Sequence, residues 1–368
     1  LAKVGIGGTE ATYVLKDERV VAVEVASQRL RWTTPGMADP FVDPLAKYPE
    51  LSRPRYVPIV EKAVRMTTRD GVALVADVVR PKGAGRFPVV LSRTPYGREL
   101  ISVEGDFWAR RGYAFVVQDV RGRGDSDGAW DPFVNEGKDG YDAVEWAAAQ
   151  PWSDGNVGMI GASYGGLVQW SAALEKPPHL RAIVPQVSPP ADGMRNIPYE
   201  FGQFMLGPSL WWGRVVADKQ ADMSKAAGTA DMKMAGLVTL PLSAVPKAVL
   251  GRDLPFWNDW LRRETMSEWK GWNGTDRLGD VRIPAFHVSG WWDGDAIGTQ
   301  VNWQTRRAAG LAEDRLVIGP WTHAFNTTKS FLGEEYGDGA ILELDSQYLR
   351  WFDTHLKGRE GLWERIPR

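Results

Sequence analysis

Residues 157–166 read Val157-Gly158-Met159-Ile160-Gly161-Ala162-Ser163-Tyr164-Gly165-Gly166, a strand-like run that breaks into glycines around a serine. Val157, Met159 and Ile160 form the pattern of a short buried strand. Gly161-Ala162-Ser163-Tyr164-Gly165 fits the Gly-x-Ser-x-Gly elbow at a strand-to-helix turn, and a helix is expected over 166–174. A serine at such a turn takes a strained backbone conformation, so only glycine-sized neighbours leave room for it. The plainer alternative is a glycine-rich connection that happens to contain a serine, and the surrounding chain has to choose between the two.

Working outward, apolar runs at 87–91 and 113–118, separated by a helix-length segment, are the pattern of parallel strands covered on both faces by crossover helices. A helix over 138–149 with Tyr141, Val144 and Ala148 on one face precedes the elbow, and a strand over 181–187 follows its helix. The alternation resumes with a strand at 283–289, a helix over 297–309 and a strand at 316–319. It closes with an amphipathic helix over 341–356 carrying Ile341, Leu344, Tyr348 and Phe352 on one stripe. Strands at 64–69 and 72–80 are joined by Asp70-Gly71, a pair suited to a tight antiparallel turn. The fold class is α/β.

Two regions break the pattern. At the start, 11–25 reads as a β-hairpin, and six prolines between 35 and 58 favour an extended arm. Between 193 and 274 the alternation stops, while six of the nine methionines and six of the eighteen tryptophans gather among helical segments such as 255–270. This stretch reads as a helical cap inserted into the core, its methionines suited equally to a pocket roof and to gap filling. The expected domains are an arm over 1–60, a core over 61–192 and 275–368, and the cap over 193–274.

Composition narrows the chemistry. A net charge of −2 without any basic run gives no reason to expect nucleic acid or an anionic membrane as partner, and no apolar stretch approaches membrane-spanning length. A small molecule is the expected partner, and a homo-oligomer is left open. The absence of cysteine removes disulfides, thiolate metal sites and a cysteine nucleophile. The chain starts at Leu1 with no basic-then-apolar leader, as it would if a signal peptide had been removed or the chain otherwise trimmed. Most of the tryptophans are expected in packing.

An elbow serine needs an imidazole to take its proton and a carboxylate to orient that imidazole, both following it in the chain. There are four histidines. His179 precedes a strand, His287 lies within one and His355 is inside the last helix. His323, in Gly319-Pro320-Trp321-Thr322-His323, sits on a loop beyond a strand's carboxyl end, where active groups of open α/β sheets gather. For the acid, Asp293 ends the run Phe286-His287-Val288-Ser289-Gly290-Trp291-Trp292-Asp293, with Asp295 as rival two residues on. The Tyr164 amide is one oxyanion donor by construction. On position alone, Tyr96 in Arg93-Thr94-Pro95-Tyr96 reads as an aromatic wedged at a strand end, its hydroxyl being the alternative second donor.

These motifs, together with the block Gln118-Asp119-Val120-Arg121-Gly122-Arg123-Gly124-Asp125-Ser126-Asp127-Gly128 and the run from Asp154 to Tyr164, resemble one family. It is the serine hydrolases that include cocaine esterases, α-amino acid ester hydrolases and X-Pro dipeptidyl peptidases, and the likeness runs from about residue 67 to 358. The resemblance implies an α/β-hydrolase core with a helical cap. It also implies Ser163 as nucleophile, Asp293 as orienting acid, His323 as base, and Tyr96 beside the Tyr164 amide as oxyanion donors. Residues 121–128 would be a structural turn. Trp292, Asp295 and Trp321 are candidate substrate contacts, and no metal or cofactor is expected. Members of this family continue into a C-terminal jelly-roll domain, which is not expected within these residues. The ammonium-binding carboxylates of the amino acid ester hydrolases are matched by Asp295 but not at Ala296 or around Ile197-Pro198. The expected activity is hydrolysis of an ester of a small apolar acyl group, with an amidase or peptidase, and a binding protein on a hydrolase scaffold, as alternatives.

Overall fold

The computed structural model describes the backbone of residues 2–6, 9–16, 19–25 and 28–30, and the chain from 43 to 362. Leu1–Lys47 and Tyr48–Arg368 are two compact units. In the first, β1 (Ala2–Ile6), β2 (Thr9–Lys16), β3 (Arg19–Val25) and β4 (Gln28–Leu30) pair in sequence as an antiparallel meander. β2 and β3 form the hairpin expected over 11–25. Its turn residues Asp17 and Glu18, and the proline-rich segment up to residue 42, lie outside the described residues.

The second unit opens with β5 (Pro58–Thr67) and β6 (Ala73–Pro81), paired antiparallel. Asp70-Gly71 sits inside a longer connection than the two-residue turn expected: the Gly71 amide donates to the Thr68 carbonyl, and the Thr68 amide to the Val72 carbonyl. There follow β7 (Phe87–Thr94), α1 (Glu99–Ser102), α2 (Gly105–Arg110), β8 (Ala114–Asp119), α3 (Glu136–Ala148), β9 (Ser153–Ala162), α4 (Tyr164–Leu174) and β10 (Leu180–Gln186). Shorter pieces come next: β11 (Tyr199–Glu200), β12 (Gln203–Phe204), α5 (Leu206–Val215), α6 (Val245–Leu250) and α7 (Trp257–Arg262). The chain then returns through β13 (Phe286–Gly290), α8 (Ala296–Ala308) and β14 (Arg315–Gly319). β15 (Ser330–Phe331), β16 (Glu334–Glu335) and α9 (Leu344–His355) complete it.

Among the described residues the large sheet has eight strands in the order β14-β13-β10-β9-β7-β8-β6-β5. The strands from β14 to β8 run parallel; β6 pairs antiparallel with β8, and β5 antiparallel with β6. β7 and β8 are buried along their whole length, which is why they read as unbroken apolar runs rather than alternating ones. Helix–helix packing corrects the expected face of α3: Gly140, Ala143, Val144 and Ala147 are buried, whereas Tyr141 is half-buried beneath the Arg69 guanidinium. α3 lies so close to α4 that a Cβ on Gly140 would come within 2.7 Å of the Ala172 methyl, so only small residues fit there. On α9 the stripe Leu344, Tyr348 and Phe352 is buried as expected, but Ile341 precedes the helix and is exposed.

The helix expected over 255–270 is broken. α7 ends at Arg262, and a 3₁₀ turn, Met266–Glu268, follows. Trp257, Trp260, Trp269 and Trp272 are all fully buried, and at 100° per residue one straight helix continued to 272 would spread them over an arc of about 180°, too wide for one buried stripe. Breaking the helix lets all four turn inward. Among the described residues no helix is long and apolar enough to cross a membrane.

Candidate active site

Four loops leave the carboxyl ends of neighbouring parallel strands on one edge of the sheet, and each carries a residue singled out from the sequence. Tyr96 follows β7, Ser163 follows β9, Asp293 follows β13 and His323 follows β14. That is the edge where open α/β sheets build their sites.

Ser163 has φ 60° and ψ −122°, a left-handed conformation that a non-glycine residue holds only at a cost of about 1–3 kcal/mol. Its amide donates to the Gln186 carbonyl at 2.9 Å, and its carbonyl accepts from the Gly166 and Leu167 amides, starting α4. The tightest neighbour is Gly166, outside the five-residue motif: a Cβ there would lie 2.8 Å from both the Gln186 carbonyl oxygen and the Ser188 Cβ. The buried Gln169 amide pins the turn from behind. It donates to the Gly161, Gly165 and Val184 carbonyls and accepts from the Val184 amide. Its only signal in the sequence is a long polar side chain in a mostly apolar helix.

His323 Nδ1 lies 2.7 Å from Asp293 Oδ1. That oxygen also accepts from the Asp295 amide at 3.0 Å, and Oδ2 accepts from the Ser289 hydroxyl at 3.0 Å. With Nδ1–H donating to Asp293, the other ring nitrogen is left to accept a proton. Burial pulls the imidazole pKa down, but the Asp293 hydrogen bond and the charges of Asp295 and Asp293 outweigh it, so the pKa stands above the ordinary 6.5. Asp295 has an oxygen 3.8 Å from His323 Nδ1, and Asn196 donates to its other oxygen at 2.8 Å. Burial foremost raises the Asp295 carboxyl to about 6, with Asp293 adding to the rise and His323 and Asn196 opposing it. Ligand atoms of Asp293, Asp295 and His323 lie within 4.8 Å of one another, close enough to gather round a cation. Their mutual hydrogen bonds already give each a role in holding the imidazole.

Ser163, His323, Asp295, Tyr96 and Tyr164 line one cavity of about 440 Å³. Its remaining walls are almost wholly apolar. Phe133 contributes from the core, and Trp211, Trp212, Met232, Met234, Leu237 and Trp272 come from the 193–274 stretch. Two of that stretch's six methionines thus roof the cavity. Burial raises the Tyr96 pKa, against the lowering effect of Trp212 and Ser163 beside it, so the phenol keeps its proton. The Tyr164 hydroxyl donates to Glu136 Oε1 at 2.8 Å and accepts from the Phe133 amide and the Trp130 indole. Glu136 is held in turn by the fully buried Arg93 at 2.7 Å. Neither Glu136 nor Trp212 carried a signal in the sequence, because both act through contacts between distant segments.

A family model described as X-Pro dipeptidyl-peptidase (S15 family) matches residues 70–325, the span that holds all four strand-end loops. The chain belongs to the S15 family. Among its relatives, the cocaine esterase of Rhodococcus sp. (strain MB1 Bresler) is 33% identical, covering 84% of this chain and 57% of its own length. The chain therefore spans little more than half of that relative. A solved α-amino acid ester hydrolase superposes with a TM-score of 0.64 at 25% identity, over 88% of this chain and 57% of that one. An aminopeptidase from a marine sediment archaeon, Thaumarchaeota archaeon, shares the fold with a TM-score of 0.68 at 23% identity, over 91% of this chain and 59% of that one.

Two expected substrate contacts are corrected. Trp321 is fully buried, and its indole donates to the Ala340 carbonyl, so it anchors the loop that carries His323 instead of facing the cavity. The fit is tight, because a Cβ on Gly290 would meet the Trp321 carbonyl oxygen at 2.1 Å. Trp292 is half exposed, stacked on Phe331 with its indole donating to the Tyr336 hydroxyl; the cavity side of its loop is taken by Gly294 and Asp295. Residues 121–128 form a turn, as the family resemblance implied. Asp119 accepts from Arg98 and from the Asp125 amide, and Arg123 reaches the Pro95 and Val216 carbonyls.

Proposed function

We propose that this S15 protein is a serine hydrolase that cleaves carboxylic esters of an apolar acyl group through an acyl-enzyme. The observation that carries the reading is the His323–Asp293 pair at 2.7 Å opening onto the same apolar cavity as a serine held at φ 60°. In this reading Ser163 Oγ attacks the ester carbonyl carbon as the free ring nitrogen of His323 takes its proton, and Asp293 steadies the imidazolium. The oxyanion is met by the Tyr164 amide and the Tyr96 hydroxyl. Collapse expels the alcohol, which takes the proton from His323. Water then repeats the sequence, releasing the acid and restoring Ser163.

Among the described residues Asp295 is the one carboxylate lining the cavity, and it is already engaged with Asn196 and His323. This favours neutral apolar esters over substrates recognised by a free ammonium group. The test is a fluorophosphonate, read by intact mass and peptide mapping, followed by a panel of aryl esters, X-Pro dipeptide anilides and β-lactam amides. One adduct on Ser163 and highest kcat/KM on the aryl esters are expected. No adduct, or faster cleavage of the anilides, would overturn the ester reading.

The charges around His323 also set a pH dependence. The base must be neutral to act, and its pKa is raised, so kcat/KM should fall with acid through a midpoint above 6.5. Asp295→Asn removes a negative charge that favours the imidazolium, so the midpoint should move down. A pH–rate profile in which Asp295→Asn leaves the midpoint in place, or raises it, would contradict this account.

A further inference from the structure

We propose that Trp212 is the positioning residue of the oxyanion site, aiming the Tyr96 proton through its indole N–H and bracing Tyr164 with its ring face. The inference rests on the oxyanion roles given to Tyr96 and Tyr164 above and extends them to a side chain that neither the motif nor the spacing picks out.

Trp212 Nε1 lies 3.0 Å from the Tyr96 hydroxyl oxygen. An indole N–H can only donate, so the phenol oxygen must accept. The Tyr96 proton is therefore excluded from that side and left to point into the cavity, where Ser163 and any bound carbonyl lie. A hydrogen bond received at the phenol oxygen also draws charge from it and makes its own O–H a stronger donor. Without the indole, the hydroxyl is free to rotate and to spend its proton elsewhere.

The same ring supports the second donor. Trp212 lies nearly parallel to the Tyr164 ring, 12° between planes with centroids 6.3 Å apart, and stacks on Trp260 at 8° and 5.6 Å. Tyr164 is thus fixed at its hydroxyl by Glu136 and within a stack of rings by Phe133, 4.6 Å away, and Trp212, which leaves its amide little freedom at the elbow. Arg123 ties the two segments together: it donates to the carbonyl of Pro95, the residue before Tyr96, at 3.1 Å. It also donates to the carbonyl of Val216, at the end of α5, which carries Trp212, at 3.0 Å. The cap and the oxyanion loop are locked in one register by a buried guanidinium. Assembly of the oxyanion site consequently depends on α5.

The test is a double-mutant cycle on an aryl ester with wild type, Trp212→Phe, Tyr96→Phe and the double variant, measuring kcat and KM separately. Trp212→Phe keeps a stacking ring and deletes the N–H. It should lower kcat about 3–10-fold with KM nearly unchanged, the effect of losing one hydrogen bond. In the Tyr96→Phe background the same change should have no further effect, a coupling that a purely structural role would not produce. Equal losses in both backgrounds, or a change confined to KM, would overturn the role of Trp212 alone. An unchanged rate for Tyr96→Phe would overturn the oxyanion role of Tyr96 itself, and this inference with it. If thermal melting shows that Trp212→Phe is poorly folded, 3-benzothienylalanine at position 212 preserves the bicyclic ring without the N–H, and the same outcomes apply.

Discussion

Ser163→Ala should lower kcat on an aryl ester by about 10⁶-fold, the loss found when the nucleophile of a triad hydrolase is removed, and should leave melting temperature nearly unchanged. The second half follows from the elbow. Alanine has the same Cβ, so the strained φ of 60° costs the variant what it costs the wild type, and the amide bond to the Gln186 carbonyl is a backbone contact that survives. What disappears is the oxygen that attacks in the mechanism proposed above. The background that remains comes from the oxyanion donors and binding, which still orient water near the carbonyl. The measurement is steady-state turnover by purified variant, with active-site titration to exclude wild-type carry-over. Turnover within a hundredfold of wild type would remove Ser163 from the mechanism.

Asp293→Ala should cost about 10⁴-fold in kcat, as loss of the orienting acid does elsewhere. Asp293→Asn should cost distinctly less, for a reason specific to this site. Asp293 Oδ1 receives two N–H donors, His323 Nδ1–H and the Asp295 backbone amide, and the backbone amide cannot reverse its role. An asparagine will therefore keep its carbonyl oxygen there and turn its NH₂ towards the Ser289 hydroxyl, which can accept as well as donate. The productive imidazole tautomer survives, and only the negative charge is lost, with Asp295 still 3.8 Å from the ring. Kinetics of both variants on one ester check this. Equal losses for alanine and asparagine would show that the asparagine forces the wrong tautomer, against the hydrogen-bond arrangement described here.

Legibility differed sharply between parts of the chain. The parallel strands could be read because they are buried on both faces, which leaves continuous apolar runs such as 87–91 and 113–118. The candidate trio Ser163, Asp293 and His323 could be picked out because each follows a strand end, and because four histidines are few enough to sort by position. The last stripe failed at Ile341, where the helix had not yet begun, and the face of α3 was misread because its packing partner α4 demands small residues. Trp321 and Trp292 were misread for a related reason. Neighbours of a candidate site residue on a loop point in different directions, and sequence distance carries no information about which.

The α/β architecture, the strand-to-helix turn at Ser163 and the candidacy of His323 and Asp293 as its partners were thus legible in the chain alone, because periodicity, glycine placement and strand ends are local properties written along it. Only the tertiary structure decided what surrounds them. That Gly166 rather than Gly165 makes the closest approach, that Glu136 holds Tyr164 and that Trp212 meets Tyr96 are contacts between segments many residues apart. So is the choice of which methionines of the 193–274 stretch line the cavity with Ser163. Such contacts arise from the close packing of a finished interior, where one side chain's direction is fixed by all its neighbours at once and by no pattern in its own segment.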